Sequence, residues 1–358
     1  MSSTPGAGHQ NPSQPVSWTQ RDVLLFANSI GCTVSELHFL YELHPQFSVF
    51  PTYPIILPFK GTSQEVIDFY AAQSSSGRGS IPGVPPLDSR RVVDGERQIW
   101  FVKPLPTTSA GREFEVKSQV LGVYDKGKPG TVMETELTLV EKSTGEVFVR
   151  VIGSAFFVGQ GGWGGPKGLF VIPSSVNHDP VIPILPFKRI LYTLTNCYLV
   201  LTMMNAGPKN PSFPPPESKS PDAIYTHPTT AESAHLYRLN GDYNPLHATP
   251  EPGAKMGFGG AIMHGLYSWN TTCHGLLKLL GGSDPANIKE FAARFASPVK
   301  PGDVLVTQIW RMGEKDADGF EEVRFVTEVK GGKVCLSNGR ARVKVVGSLE
   351  DKAGKSKL

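Results

Sequence analysis

The chain has 358 residues and a net charge of +3, from 35 basic and 32 acidic side chains, which is length enough for two domains or for one domain with two similar halves. So small a charge, with no continuous stripe of Lys or Arg, argues against a nucleic-acid surface and suits an anionic small molecule. Four scattered cysteines, Cys32, Cys197, Cys273 and Cys335, form neither a disulfide framework nor a ligand-spaced metal set.

In chain order, residues 1–16 are polar and rich in Ser, Pro and Gly, which predicts a disordered tail and no secretory leader. Thr19 can cap a helix whose apolar positions Val23, Leu24, Phe26, Ala27 and Ile30 recur at helical spacing before Gly31 stops it. Pro51, Pro54 and Pro58 punctuate an apolar stretch with Tyr53, Ile55 and Ile56 that reads as the wall of a channel. Residues 63–70 are expected to form a short helix and 73–86 a turn-rich loop.

An internal repeat follows. One half runs Lys103-Pro104-Leu105-Pro106, an alternating strand, a turn at Asp125-Lys126-Gly127, a strand over 132–140, a turn at Lys142-Ser143-Thr144-Gly145 and a long strand over 147–158. The other runs Ser297-Pro298-Val299-Lys300-Pro301-Gly302, a strand over 304–310, a Gly turn at 316–319, a strand over 322–329, a turn at Lys330-Gly331-Gly332 and a strand over 334–346. The order of events is the same in both. Alternation such as Arg340-Ala341-Arg342-Val343-Lys344-Val345 gives each sheet one dry face that needs a cover. A helix over 264–280, with Leu266, Trp269, Cys273, Leu276, Leu277 and Leu280 on one stripe, supplies it in the second half. Antiparallel strands wrapped on a helix, twice over, predict an α+β double hot-dog fold.

Gly159-Gln160-Gly161-Gly162-Trp163-Gly164-Gly165 lacks the Gly-Lys-Ser/Thr of a phosphate loop and follows an antiparallel-type strand, so it reads as a strand-end turn. Residues 169–206 are apolar and outside the repeat, and their run 190–204 is shorter than the roughly 20 residues that cross a bilayer. They are a lineage-specific loop or a translated intron, and a Pro-rich linker follows to residue 221. The divisions are therefore residues 1–16, a first half 17–168, insert and linker 169–221, a second half 222–347, and a tail 348–358. That tail ends Ser356-Lys357-Leu358, the tripeptide read by the peroxisomal import receptor.

The chemistry gathers in Tyr237-Arg238-Leu239-Asn240-Gly241-Asp242-Tyr243-Asn244-Pro245-Leu246-His247. Asp242 can accept a proton, His247 can accept or donate one near neutrality, Asn244 can hold water, and Pro245 stiffens the bend. Alone, Asp242 would more often cap the turn at Asn244, and a lone His is more often structural. Gly265, after His264 at the helix start, offers a backbone N–H to a substrate oxygen.

These two motifs resemble those of hydratase 2, the MaoC-like family of (3R)-specific enoyl-CoA hydratases, and the 23-residue step from Asp242 to Gly265 is the step expected between them. RDVLLFANSIG, YELHPQFSVFPTYPII, VVDGERQIWFVKPLP, VYDKGKPG, FFVGQGGWGG, ARFASPVKPGD and SNGRARV also resemble family segments, in family order, over roughly residues 17–346 apart from the insert. The resemblance implies a double hot dog and catalysis by Asp242 and His247, which share one water and add its parts to the same face of a trans-2-enoyl thioester. Asn244 would hold that water, the Gly265 N–H would bind the thioester oxygen, and His264 stays structural. It implies acyl-CoA contacts at Gly95, Lys126, Tyr243 and Phe295, with a supporting role for Glu42. Asp94 stands where the family commonly has His; Lys126 is equally read as a solvated turn lysine, and Glu42 as a surface acid. No metal or cofactor is implied, coenzyme A being part of the substrate. With no dinucleotide-binding unit ahead of the motifs, a 3-hydroxyacyl-CoA dehydrogenase is expected on a separate chain. A homodimer, common for the fold, is left open. Other readings are a dehydratase of secondary metabolism, a hot-dog thioesterase, or a non-catalytic acyl-CoA-binding protein.

Overall fold

The computed structural model describes residues 5–71, 80–88, 91–167 and 211–346. The insert and the terminal tripeptide lie outside them. No helix among the described residues is long and apolar enough to cross a membrane.

Among the described residues, ten antiparallel strands form one sheet: β1 (Gln10–Val16), β2 (Val92–Phe101), β3 (Phe114–Asp125), β4 (Gly130–Glu141), β5 (Val147–Val158), β6 (Ala223–Pro228), β7 (Ile288–Phe295), β8 (Val304–Lys315), β9 (Glu321–Val329) and β10 (Val334–Val343). Their order, β1-β3-β4-β5-β2-β7-β10-β9-β8-β6, reads the same from either edge: a first strand, a three-strand meander, then the second strand. The halves therefore share one topology and meet where β2 pairs with β7, from Glu96↔Arg294 to Trp100↔Glu290. This is the double hot dog.

Two expectations are corrected. Gln10–Val16, assigned to the disordered tail, forms edge strand β1 against β3, because the first half needs the counterpart of β6 to cover the β3 edge. The short helix over 63–70 does not form. The Ser63 hydroxyl both donates to and accepts from the backbone of Glu65, a local turn that competes with helix. A helical turn begins only at Phe69, where the Asp68 carboxylate accepts the N–H groups of Tyr70 and Ala71.

The two halves are covered differently. Helix α1 (Gln20–Ser29) starts at Thr19, whose hydroxyl oxygen accepts the Asp22 N–H while Asp22 accepts the Thr19 N–H at 2.8 Å. Beyond it the first half is covered by short pieces, a 3-10 turn at Val34–Glu36, α2 (Leu37–Leu40), a 3-10 turn at Tyr53–Ile56 and α3 (Leu57–Lys60). Prolines at 51, 54 and 58 remove the donors that one long helix would need. Trp18, Phe26, Phe39, Phe50, Tyr53, Phe114 and Phe148 fill the space beneath. A small apolar cavity beside them is lined by Pro54, Ile55 and Pro58 of the proline-punctuated stretch together with Val116, Leu137, Leu139, Val149 and Val151 of the sheet.

In the second half, after α4 (Ser233–Tyr237) and α5 (Pro250–Lys255), the single helix α6 (Gly265–Leu280) crosses the sheet with almost every residue buried. Trp269 meets Phe291 of β7 edge-on at 4.6 Å. Each such side chain contributes about 1.5–3 kcal/mol by leaving water, so the direction of α6, and with it the position of its N-terminus, is tightly held. On the opposite side of the sheet the linker is strapped down by Phe213, which lies against the guanidinium groups of Arg324 and Arg340 and whose N–H donates to Asn338 Oδ1.

Candidate active site

The loop after α4 is shaped by local chemistry. A 3-10 turn at Arg238–Asn240 ends at Gly241, which has φ +125°; a Cβ there would come within 2.8 Å of the Lys60 backbone, so only glycine fits. The Asp242 carboxylate then accepts the Asn244 N–H at 3.2 Å, and Asn244 Oδ1 accepts the Leu246 N–H at 3.0 Å to cap the turn Pro245–His247. Asp242 thus does cap the bend. Asn244 spends its oxygen on the same bend, and no hydrogen bond is formed by its Nδ2 amide among the described residues.

His247 is buried, and its Nδ1 lies 2.9 Å from the Ile262 carbonyl. A carbonyl only accepts, so Nδ1 carries the proton and Nε2 is the ring nitrogen left with its lone pair. One carboxylate oxygen of Asp242, one ring nitrogen of His247 and one of His264 all lie within 4.8 Å of each other, a separation that one water can bridge. Burial raises the Asp242 carboxyl above its ordinary value and lowers the His247 imidazole below its own, while each group's charge opposes the other's shift. The two proton affinities are brought together, so the pair can hold one proton between them.

His264 donates from Nε2 to the Asp242 carbonyl at 3.0 Å and stacks on His247 with centroids 3.7 Å apart. It ties the loop to the start of α6. As the first residue of α6, Gly265 has an N–H with no partner inside the helix. A Cβ on Gly265 would stand 3.2 Å from the Phe295 ring and 3.7 Å from Asp94 Oδ2. Asp94 on β2 and Phe295 on β7 therefore converge on Gly265 across the seam between the halves.

The remaining expected residues are placed as follows. Gly95 sits at a bulge in β2, where a Cβ would meet Ser154 Oγ at 2.5 Å. Lys126 follows the same end of the sheet, since Asp94, Ala155, Met133 and Val123 lie in one row. Its ammonium donates to the Lys167 carbonyl and lies over the Tyr124 ring at 5.4 Å. Tyr243 is partly exposed beneath the Arg238 guanidinium, 5.1 Å away. Glu42 is an exposed turn residue that no hydrogen bond or ion pair reaches among the described residues.

The acid that the fold uses in that stretch is Glu36, which the sequence reading missed although Thr33-Val34-Ser35-Glu36 has capping-box spacing. Glu36 is buried and accepts from His274 at 3.0 Å, Lys278 at 3.0 Å and Ser283 at 2.8 Å, which locks the first half onto α6. From His274 the polar contacts run on through Tyr225 and His227 to Tyr267. Neither His cluster is arranged for a metal. The planes of His247 and His264 are within 27° of parallel, so their in-plane lone pairs do not converge as a tetrahedral ion requires. Beside Cys32, Glu36 and His274 the Lys278 ammonium already occupies a cation's place. The glycine run after β5 is not a phosphate cradle either, because Asp125 accepts the N–H groups of Gly127, Gly162 and Gly164. Burial would raise that carboxyl, and these amides outweigh it and hold it low.

Comparison with known proteins agrees with this geometry. Residues 16–159 match the MFE-2 hydratase 2 N-terminal domain and residues 212–333 the MaoC like domain. A probable dehydratase, NIT22, of Ajellomyces capsulatus is 46% identical over 338 residues, covering 92% of this chain and 79% of that protein. A probable enoyl-CoA hydratase 2 of Dictyostelium discoideum is 28% identical over 295 residues, 82% of each chain. The crystal structure of a MaoC-like dehydratase from Phytophthora capsici superposes with a TM-score of 0.70 at 29% identity, covering 96% of this chain and 97% of that one. With both domain models matched in order on a double hot dog, the chain belongs to the MaoC-like hydratase 2 family and is a hydro-lyase.

Proposed function

We propose that the protein is a (3R)-specific enoyl-CoA hydratase of peroxisomal fatty acid β-oxidation, adding water reversibly and syn to trans-2-enoyl-CoA. The observation that supports this reading best is the Asp242–His247 pair, close enough to share one water, beside the free N–H of Gly265. The pair takes a proton from water as its oxygen attacks C3 and returns one to C2 on the same face, while the Gly265 amide stabilises the charge that builds on the thioester oxygen. Asn244 Nδ2 holds the water. Phe295 and Gly95 shape the seam, and Lys126 and Tyr243 stand where the coenzyme A arm would pass. The acyl part lies toward the Pro54–Pro58 wall, no separate cofactor takes part, and the (3R) alcohol is what a 3-hydroxyacyl-CoA dehydrogenase would consume.

Mixing the purified protein with trans-2-decenoyl-CoA tests this. Enoyl absorbance should fall without release of thiol, giving the (3R) product. Thiol release would instead identify a thioesterase, and no change would exclude this substrate. A second reading, dehydration of a 3-hydroxyacyl thioester in secondary metabolism, is favoured by the name of the NIT22 relative. The same residues would run the same equilibrium backward. The tail supports the peroxisomal assignment. A fluorescent fusion that ends in Ser356-Lys357-Leu358 should collect in peroxisomes and spread through the cytosol when the tripeptide is deleted; peroxisomal retention after the deletion would overturn the role given to it.

A further inference from the structure

Asp94 stands at the bulge where β2 slips register against β5 between Asp94 and Glu96. A bulge re-aims a side chain, and Gly95 makes this one possible by leaving room for Ser154 Oγ. One carboxylate oxygen of Asp94 accepts from Arg97 Nη2 at 2.6 Å, with both side chains largely covered. The other lies 3.7 Å from the point where a side chain on Gly265 would begin. The site thus contains a second carboxylate, on the other half of the molecule from Asp242 and with its free oxygen toward the reacting centre.

We propose that Asp94 is a positioning residue that acts through His247, its fixed negative charge keeping the shared proton on the Asp242–His247 pair. This rests on the reading that the pair carries the proton transfers. An anion beside two titrating groups favours the protonated form of both, and the Asp94 charge acts in that sense on Asp242 and on His247. Beyond Asp242 itself and the Ile262 carbonyl, which raise His247 more than Asp94 does, the other groups facing the pair do not work in the same sense. Arg238 on the loop works the opposite way at Asp242, and His264 at the start of α6 is held neutral by burial and by His247. Tyr237 at the end of α4 is kept protonated by burial. Burial lowers His247, the Asp242 charge and the Ile262 carbonyl oppose that most, and the Asp94 charge adds to them from the other half of the molecule. The same charge would oppose the oxyanion forming at Gly265. Arg97, bound to the far oxygen, offsets that repulsion, which accounts for a carboxylate arriving in the site with its own guanidinium.

The test is the titration of the His247 ring, followed by NMR in the free protein carrying isotope-labelled histidine. Asp94→Asn keeps the shape and removes the charge; the His247 midpoint is expected to fall by about half to one pH unit, roughly three- to tenfold in proton affinity. Both limbs of the kcat/KM profile should move to lower pH in step. Arg97→Gln, which leaves Asp94 uncompensated, should move the same midpoint upward. A folded Asp94→Asn protein with an unchanged or raised midpoint overturns the proposal. If that variant does not fold, Arg97→Gln decides, and an unchanged or lowered midpoint overturns it. The titration needs no turnover, so a protein that titrates as expected but hydrates no enoyl thioester would sink the hydratase reading and leave Asp94 its role.

Discussion

Asp242→Asn is expected to leave a protein with the parent's melting temperature and less than about a hundredth of its kcat/KM on a trans-2-enoyl-CoA. The substitution separates the two things Asp242 does. An asparagine oxygen still accepts the Asn244 N–H that the carboxylate accepts at 3.2 Å, so the bend survives, but an amide neither takes nor returns a proton. Positioned acid–base groups supply about 10²–10⁴-fold each. His247→Ala should fall in the same range, with some loss of stability from the Ile262 bond and the His264 stack. In the proposed mechanism the two residues handle one proton, so the double variant should be hardly worse than either single one. Steady-state kinetics with thermal denaturation decides the matter. Retention of more than about a tenth of the parent rate by Asp242→Asn would mean that the carboxylate only caps its turn.

Glu36→Ala should produce the largest loss of stability, about 3–5 kcal/mol, since removing one partner leaves the others of a buried ion pair uncompensated. Its side chain is 2% exposed and receives His274 and Lys278 from α6 and Ser283 beyond it. The pH dependence has a definite sign. Burial by itself would raise the Glu36 carboxyl, but the hydrogen bonds from His274, Lys278 and Ser283 outweigh it and hold the group far below the ordinary carboxylate range. A carboxyl depressed in the folded state contributes stability that is complete above its unfolded value and is lost as pH falls from there toward the folded value. The difference between parent and Glu36→Ala should thus be full at neutral pH and shrink in acid. Denaturant melts at several pH values measure it, and a difference that stays constant into acid, or is absent at pH 7, would show that the Glu36 contacts do not hold the halves together.

Residues that repeat at short range declared themselves in the sequence. Thr19 announced α1, the Leu and Trp stripe after His264 announced α6, and alternating residues announced the meanders on both sides of the molecule. Each signal is a local period, and local periods survive in a linear text. The Asp242-to-His247 bend belongs with them, because Pro245 and the Asn244 cap act within three residues.

Strand β7 gave no such signal, since it runs through the middle of the sheet and is buried on both faces over most of its length. Its partner β2 shows no alternation of burial either, and β1 is too polar to read as a strand without the edge it covers. Their pairing is nevertheless what brings Asp94, Gly265 and Phe295 to one point. The same holds for Glu36, which gained its importance from His274, a residue 238 positions away, whereas Glu42, singled out by its motif, ended on an exposed turn.

The amino-acid order by itself determined the elements that carry a short period and singled out the Asp242–His247 bend, because those depend on neighbours along the chain. Only the tertiary structure decided which charges surround that pair and what fastens one half to the other. Electrostatic energy falls with distance in space, and the distance between residues of different strands and helices is set by packing.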